Sequence, residues 1–133
     1  MRVFIDANVI VSAVAARGLC ADVMRQVLYH HDLVISEDLL AEVERVLMAK
    51  IGVPRDVVFD VLKLLRDGAH LAKPSFAAGL TVGDPKDEAL ISAAVEGKAD
   101  LFVTGDHELL GLAGPASLRI ISPRMFWELV KDR

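Results

Sequence analysis

A chain of 133 residues carrying 15 basic and 19 acidic side chains, net charge −4, is expected to fold as a single domain over 1–133, without the cationic surface of a nonspecific nucleic-acid coat. One cysteine, Cys20, excludes an internal disulfide, and the longest apolar run falls far short of the ~18 residues a membrane span needs. Asp6 and Asn8 interrupt the first apolar run, so no secretory leader is expected and the expected compartment is the cytoplasm.

In chain order the pattern predicts a strand at 2–5, helices at about 8–16 and 20–30, a strand at 32–35, and helices at 37–50 and 55–67. A short strand near 69–72, a loop over 73–84 and a helix at 86–97 follow. The chain then closes with a strand at 100–103, a short helix at 106–112, a strand at 118–121 and a helix at 123–131. The runs Val3–Ile5 and Leu101–Val103 show no polar alternation, the pattern of strands buried on both faces. Strands alternating with helices predict a parallel sheet covered on both sides. Ser36, with Glu37 and Asp38 behind it, is a helix start, because its hydroxyl caps free N–H groups and the acids suit the dipole. Pro54, Pro85 and Pro123 mark first helical turns, and Gly52, Gly68 and Gly97 read as stops after helices.

Two of the predicted strands lead into aspartates: Asp6 follows the first at once, and Asp106 follows the fourth after Thr104 and Gly105. Each alone reads as a helix cap. Together they reach the carboxyl edge of one sheet, where open α/β folds place ligands. Asp84, Asp87 and Glu88 lie between them in sequence. Asp84 reads as the cap of the helix at Pro85, Asp87 as dipole compensation worth ~0.3–1 kcal/mol, and Glu88 as solvated. Gathered carboxylates repel one another, so a cation is the reason to gather them.

The helix after Ser36 carries the stripe Leu39, Leu40, Val43, Val46 and Leu47. At ~100° per residue, Glu42 and Glu44 border it on opposite sides about equally closely, and spacing does not choose between them. His30, His31, His70 and His107 show no metal-binding spacing, and one cysteine builds no zinc site. His30 and His31 read as a helix end, and His107 as exposed. There is no glycine-rich phosphate loop, nucleophile elbow or dinucleotide fingerprint. Hard carboxylates without imidazole or thiolate select Mg²⁺ or Mn²⁺.

Four segments in order resemble the successive motifs of the PIN domain, within it the toxins of toxin–antitoxin systems. They are FIDANVIVSA around Asp6, LVISEDLLAEV around Glu42, DPKDEALISAA around Asp87 and ADLFVTGDHELL around Asp106; ISPRMF resembles the family's closing strand-to-helix junction. The resemblance spans nearly the whole chain. It implies a three-layer α/β/α fold with a central parallel sheet, and a metal-dependent ribonuclease. Asp6, Glu42, Asp87 and Asp106 are then the catalytic and metal-binding acids, with Mg²⁺ or Mn²⁺ as cofactor. Asn8, Ser12, Thr104 and Asp84 are supporting groups, and Glu42 is chosen over Glu44. Ala7 departs from the Thr of many relatives, which removes a hydroxyl and leaves the four acids whole. The implied partners are an RNA substrate, a cognate antitoxin protein and a second copy in a homodimer, with no membrane. Arg17, Lys50, Lys86 and Arg124 are candidate phosphate contacts. Two alternatives stand beside this reading. One is a PIN-like module that binds RNA or protein without cleaving. The other is an aspartyl phosphotransferase using Asp6, although such enzymes place a second acid where this chain has Asn8.

Overall fold

The uniformly apolar runs form the middle of a parallel sheet, as their lack of alternation requires. The computed structural model describes residues 1–73, 85–112 and 117–131. Its strands are β1 (Arg2–Ile5), β2 (Asp32–Ile35), β3 (Ala69–Leu71), β4 (Leu101–Val103) and β5 (Arg119–Ile121). They pair in the order β3-β2-β1-β4-β5, every neighbour parallel. Phe4 of β1 lies in register with Val34 and Phe102, and the two phenyl rings stack with centroids 5.2 Å apart. Val3, Phe4, Ile5 and Phe102 are fully inaccessible to solvent.

The helices are α1 (Ala7–Ala15), α2 (Leu19–His30), α3 (Glu37–Val46), α4 (Arg55–Asp67), α5 (Pro85–Glu96), α6 (His107–Leu110) and α7 (Pro123–Val130). They complete the expected three-layer α/β/α arrangement. The chain bends by 107° between α1 and α2, and no single helix among the described residues is long and apolar enough to cross a membrane. α3 packs against α1, α4 and α5, while α2 packs against α7. The chain leaves β1 for β2 on one side and later returns to β4 on the other. The sheet therefore has its switch point between β1 and β4, the place where open parallel sheets form a crevice.

Several local signals act as read. Ser36 accepts the Leu39 N–H at 3.2 Å, and Ser122 does the same for Met125 at 3.1 Å, so both cap their helices. Pro85 and Pro123 open α5 and α7, whereas Pro54 stands one residue ahead of α4. The helix expected over 37–50 changes character after Val46, where residues Leu47–Ile51 form a π-helical turn. Gly52 ends that turn in the left-handed conformation, φ 78°, and its N–H bonds to the Leu47 carbonyl. The expected loop lies outside the described residues from 74 onward.

Gly97 follows a helix for a different reason than a stop signal. The left-handed residue after α5 is Lys98, φ 56°. What Gly97 provides is closeness: a Cβ there would stand 2.5 Å from Val34 Cγ1 and 3.0 Å from Ala72 Cβ. Gly97→Ala must push α5 away from β2, an overpacking that costs about 1–3 kcal/mol. The urea midpoint is expected to fall by that amount with an unchanged slope, and an unaltered midpoint would refute the close packing.

Candidate active site

The site begins where β1 stops. The Asp6 N–H bonds to the Val103 carbonyl at 2.8 Å, so the end of β1 is registered on the end of β4. The Asp6 side chain then caps α1, accepting the Ala7 N–H at 2.8 Å. Its second oxygen accepts the Thr104 hydroxyl at 2.7 Å and the Asn8 amide at 3.2 Å. Thr104 Oγ1 in turn accepts the Asp106 N–H at 3.0 Å, and Asn8 Oδ1 accepts the Gly105 N–H at 3.2 Å. Residues 98 positions apart in sequence thus share one polar network. Among the described residues, no buried side-chain polar atom lacks a partner.

Asp6 is 6% exposed and Thr104 wholly buried. Burial pushes the Asp6 carboxyl above the usual aspartate range, and the nearby Asp106 charge adds to this. The bonds from Thr104, Ala7 and Asn8 oppose it without cancelling it. Asp106 caps α6 by accepting the Glu108 N–H at 2.9 Å. The two capping roles read from sequence are therefore real, and they also fix the carboxylates at the sheet edge.

Glu42 and Asp87 reach the same place from α3 and α5. A cleft of about 900 Å³ opens over the sheet edge, and Asp6, Glu42, Asp87 and Asp106 all line it, with Asn8 and Ser12. Glu44 does not line it, and its charge acts instead on Arg66 of α4. Packing thus separates the two glutamates that helix geometry left equivalent. Arg66 also grips Glu37 through two bonds of 2.7 and 2.9 Å, tying α4 to the start of α3. Ser12 has the Cys20 thiol as a neighbour, and burial raises that thiol's pKa. Thr104 supports the site from beneath, Asp84 lies outside the described residues, and Glu88 and His107 are exposed outside the cleft.

Two of the four expected phosphate contacts, Lys50 and Lys86, line the cleft, whereas Arg17 and Arg124 do not. The cleft also holds Asp38 and Arg45, which sequence reasoning did not single out. Arg45 clasps Glu42, Nη2 to Oε1 at 2.6 Å and Nε to Oε2 at 3.2 Å. That bonding, helped by the charges of Lys86 and Lys50, holds the Glu42 carboxyl below the usual glutamate range. The three-residue spacing from Glu42 to Arg45 was the available signal, since such pairs are neighbours on a helix.

The donor chemistry suits a hard divalent cation. Five carboxylates face three cationic side chains, a deficit of two positive charges, and every candidate ligand is an oxygen. Among the described residues, no three acidic, histidine or cysteine side chains stand together at metal-binding separation. Glu42 is instead engaged by Arg45.

Comparison with known proteins places this geometry. The sequence profile of the PIN domain family matches residues 2–108, a span that contains all four acids. No curated protein matches the sequence. Among solved structures the fold is similar to a chain in the crystal structure of VapBC2 from Rickettsia felis bound to a DNA fragment from their promoter. The TM-score is 0.64 at 17% identity, over 92% of this chain and 98% of that one. The match across most of the sequence, with Asp6 and Asp106 at the switch point of a parallel sheet, means that this chain belongs to the PIN domain family.

Proposed function

We propose that this chain is a Mg²⁺- or Mn²⁺-dependent ribonuclease that cleaves RNA phosphodiester bonds and acts as the toxin of a toxin–antitoxin pair. The observation that carries the reading is the convergence of Asp6, Glu42, Asp87 and Asp106, from separate elements, on one cleft. Helix capping accounts for Asp6 and Asp106 but not for Glu42 and Asp87 reaching the same cleft, where like charges repel unless a cation offsets them.

In this reading Asp6, Glu42, Asp87 and Asp106 would hold the cation, and its charge would supply electrostatic stabilisation at the scissile phosphate and a more acidic water. Asn8 and Thr104 keep the Asp6 carboxylate in one orientation, so little reorganisation is needed when charge develops. Lys50 and Lys86 offset the charge of the strand entering an acidic cleft. No covalent intermediate is needed in this reading. The toxin role draws on family membership and on the likeness to a chain of VapBC2; it brings with it a cognate antitoxin, a homodimer and a cytoplasmic setting.

Purified protein is expected to degrade labelled single-stranded RNA with Mn²⁺ or Mg²⁺ and to stop with EDTA. Intact RNA under all metal conditions would favour the non-cleaving module, and acid-stable phosphate on Asp6 would favour the phosphotransferase. Induced expression is expected to slow growth, and a small protein encoded in a neighbouring gene to relieve it. Unimpaired growth with a competent nuclease would remove the toxin role alone.

A further inference from the structure

The bidentate Arg45–Glu42 pair competes with Glu42 serving a cation, because each carboxylate oxygen already accepts a bond from the guanidinium and its charge is neutralised there. We propose that Arg45 is a latch on Glu42: it holds the carboxylate while the cleft lacks a cation, yields it when a divalent cation arrives, and then offers its guanidinium to a phosphate of the bound strand. The inference rests on the nuclease reading above and adds a residue to it.

Two observations and one consequence of charge carry it. The pair is half exposed on the Arg45 side and 30% exposed at Glu42, so it is weak enough to be displaced. A cation entering the cleft, where five carboxylates face three cationic side chains, would take over the neutralisation that Arg45 now provides, leaving a planar fork of donors unpartnered. Such a fork matches a phosphate bidentately, as it now matches the Glu42 carboxylate. Finally, Lys50 stands on the same cleft. In an unbroken α-helix it would lie about 80° round from Glu42, at about 100° per residue. The wider π turn over Leu47–Ile51 returns it toward that face. Arg45, Lys50 and Lys86 thereby form one cationic wall.

The test is Mn²⁺ titration of the whole chain without RNA, followed by calorimetry. Arg45→Ala, and Arg45→Gln with its longer stem, are expected to bind Mn²⁺ about two- to fivefold tighter than wild type. In a Glu42→Gln background the gain should vanish. With saturating Mn²⁺, Arg45→Ala should raise KM for RNA about tenfold, the loss of a charge-assisted bond, and change kcat less. Tighter metal with weaker RNA is a combination that a merely structural role does not produce. Unchanged or weaker Mn²⁺ binding in both variants overturns the latch while leaving the cation reading intact. The same gain in Glu42→Gln reduces Arg45 to a bystander charge, and an unchanged KM refutes the transfer to phosphate. If neither wild type nor variants bind Mn²⁺, latch and cation site fall together.

Discussion

Asp6→Asn, Glu42→Gln, Asp87→Asn and Asp106→Asn are each expected to lower metal-dependent RNA cleavage by about a hundredfold or more, the scale on which losing one preorganised charged or polar group acts. Glu44→Gln should retain activity. The contrast is informative because Glu42 and Glu44 are two residues apart on one helix and equally plausible by periodicity. Only Glu42 lines the cleft; the charge of Glu44 acts on Arg66 of α4. A dead Glu44→Gln beside an active Glu42→Gln would mean that the ligand has been assigned to the wrong border of α3. Asp6→Asn is the strictest of the four. It is isosteric and still accepts the Ala7 N–H, so circular dichroism should show an unchanged fold while cleavage is lost.

Thermal unfolding should separate the charge of Asp6 from its place in the fold. In the metal-free protein the folded-state pKa of Asp6 is raised, so the native chain binds that proton more tightly than the unfolded chain. Its contribution is therefore most favourable at low pH and is lost as pH rises from the ordinary aspartate value through the raised one. At neutral pH ionised Asp6 strains the metal-free fold, and Asp6→Asn should melt at the same temperature or higher. Mn²⁺ reverses the order. A ligand that binds only the native state stabilises by about 2.7 kcal/mol at a hundredfold excess over Kd. For a chain of this length that is roughly a 10 °C rise in Tm. The rise should shrink in Asp6→Asn; if it persists in full, Asp6 is not a ligand and the acidic pocket loses its first member.

How much of this was legible in the sequence follows from the range over which each feature is encoded. Strands buried on both faces must be uniformly apolar, so β1, β2 and β4 are written in neighbouring residues. Ser36 announces its helix through a bond to a backbone N–H three positions on, and the two aspartates follow their strands within three residues. The sheet edge and its acids were therefore visible without coordinates. Other features are decided by residues far away in the chain. Periodicity placed Glu42 and Glu44 symmetrically; the packing of α3 beside α1, α4 and α5 broke that symmetry. Gly97 reads as a helix stop in sequence, but the side chains of Val34 and Ala72 exclude a Cβ there. Thr104 looks like part of a turn until its hydroxyl is found bridging Asp6 and the Asp106 N–H. The reach of Lys50 depends on a π turn that no apolar pattern signals. Local patterning specified the elements and the residues at their ends, because those depend on bonds within a few positions. Tertiary packing decided which side chains share the cleft, which charge neutralises which, and how strongly burial acts on Asp6, because each of these depends on contacts made across the sheet.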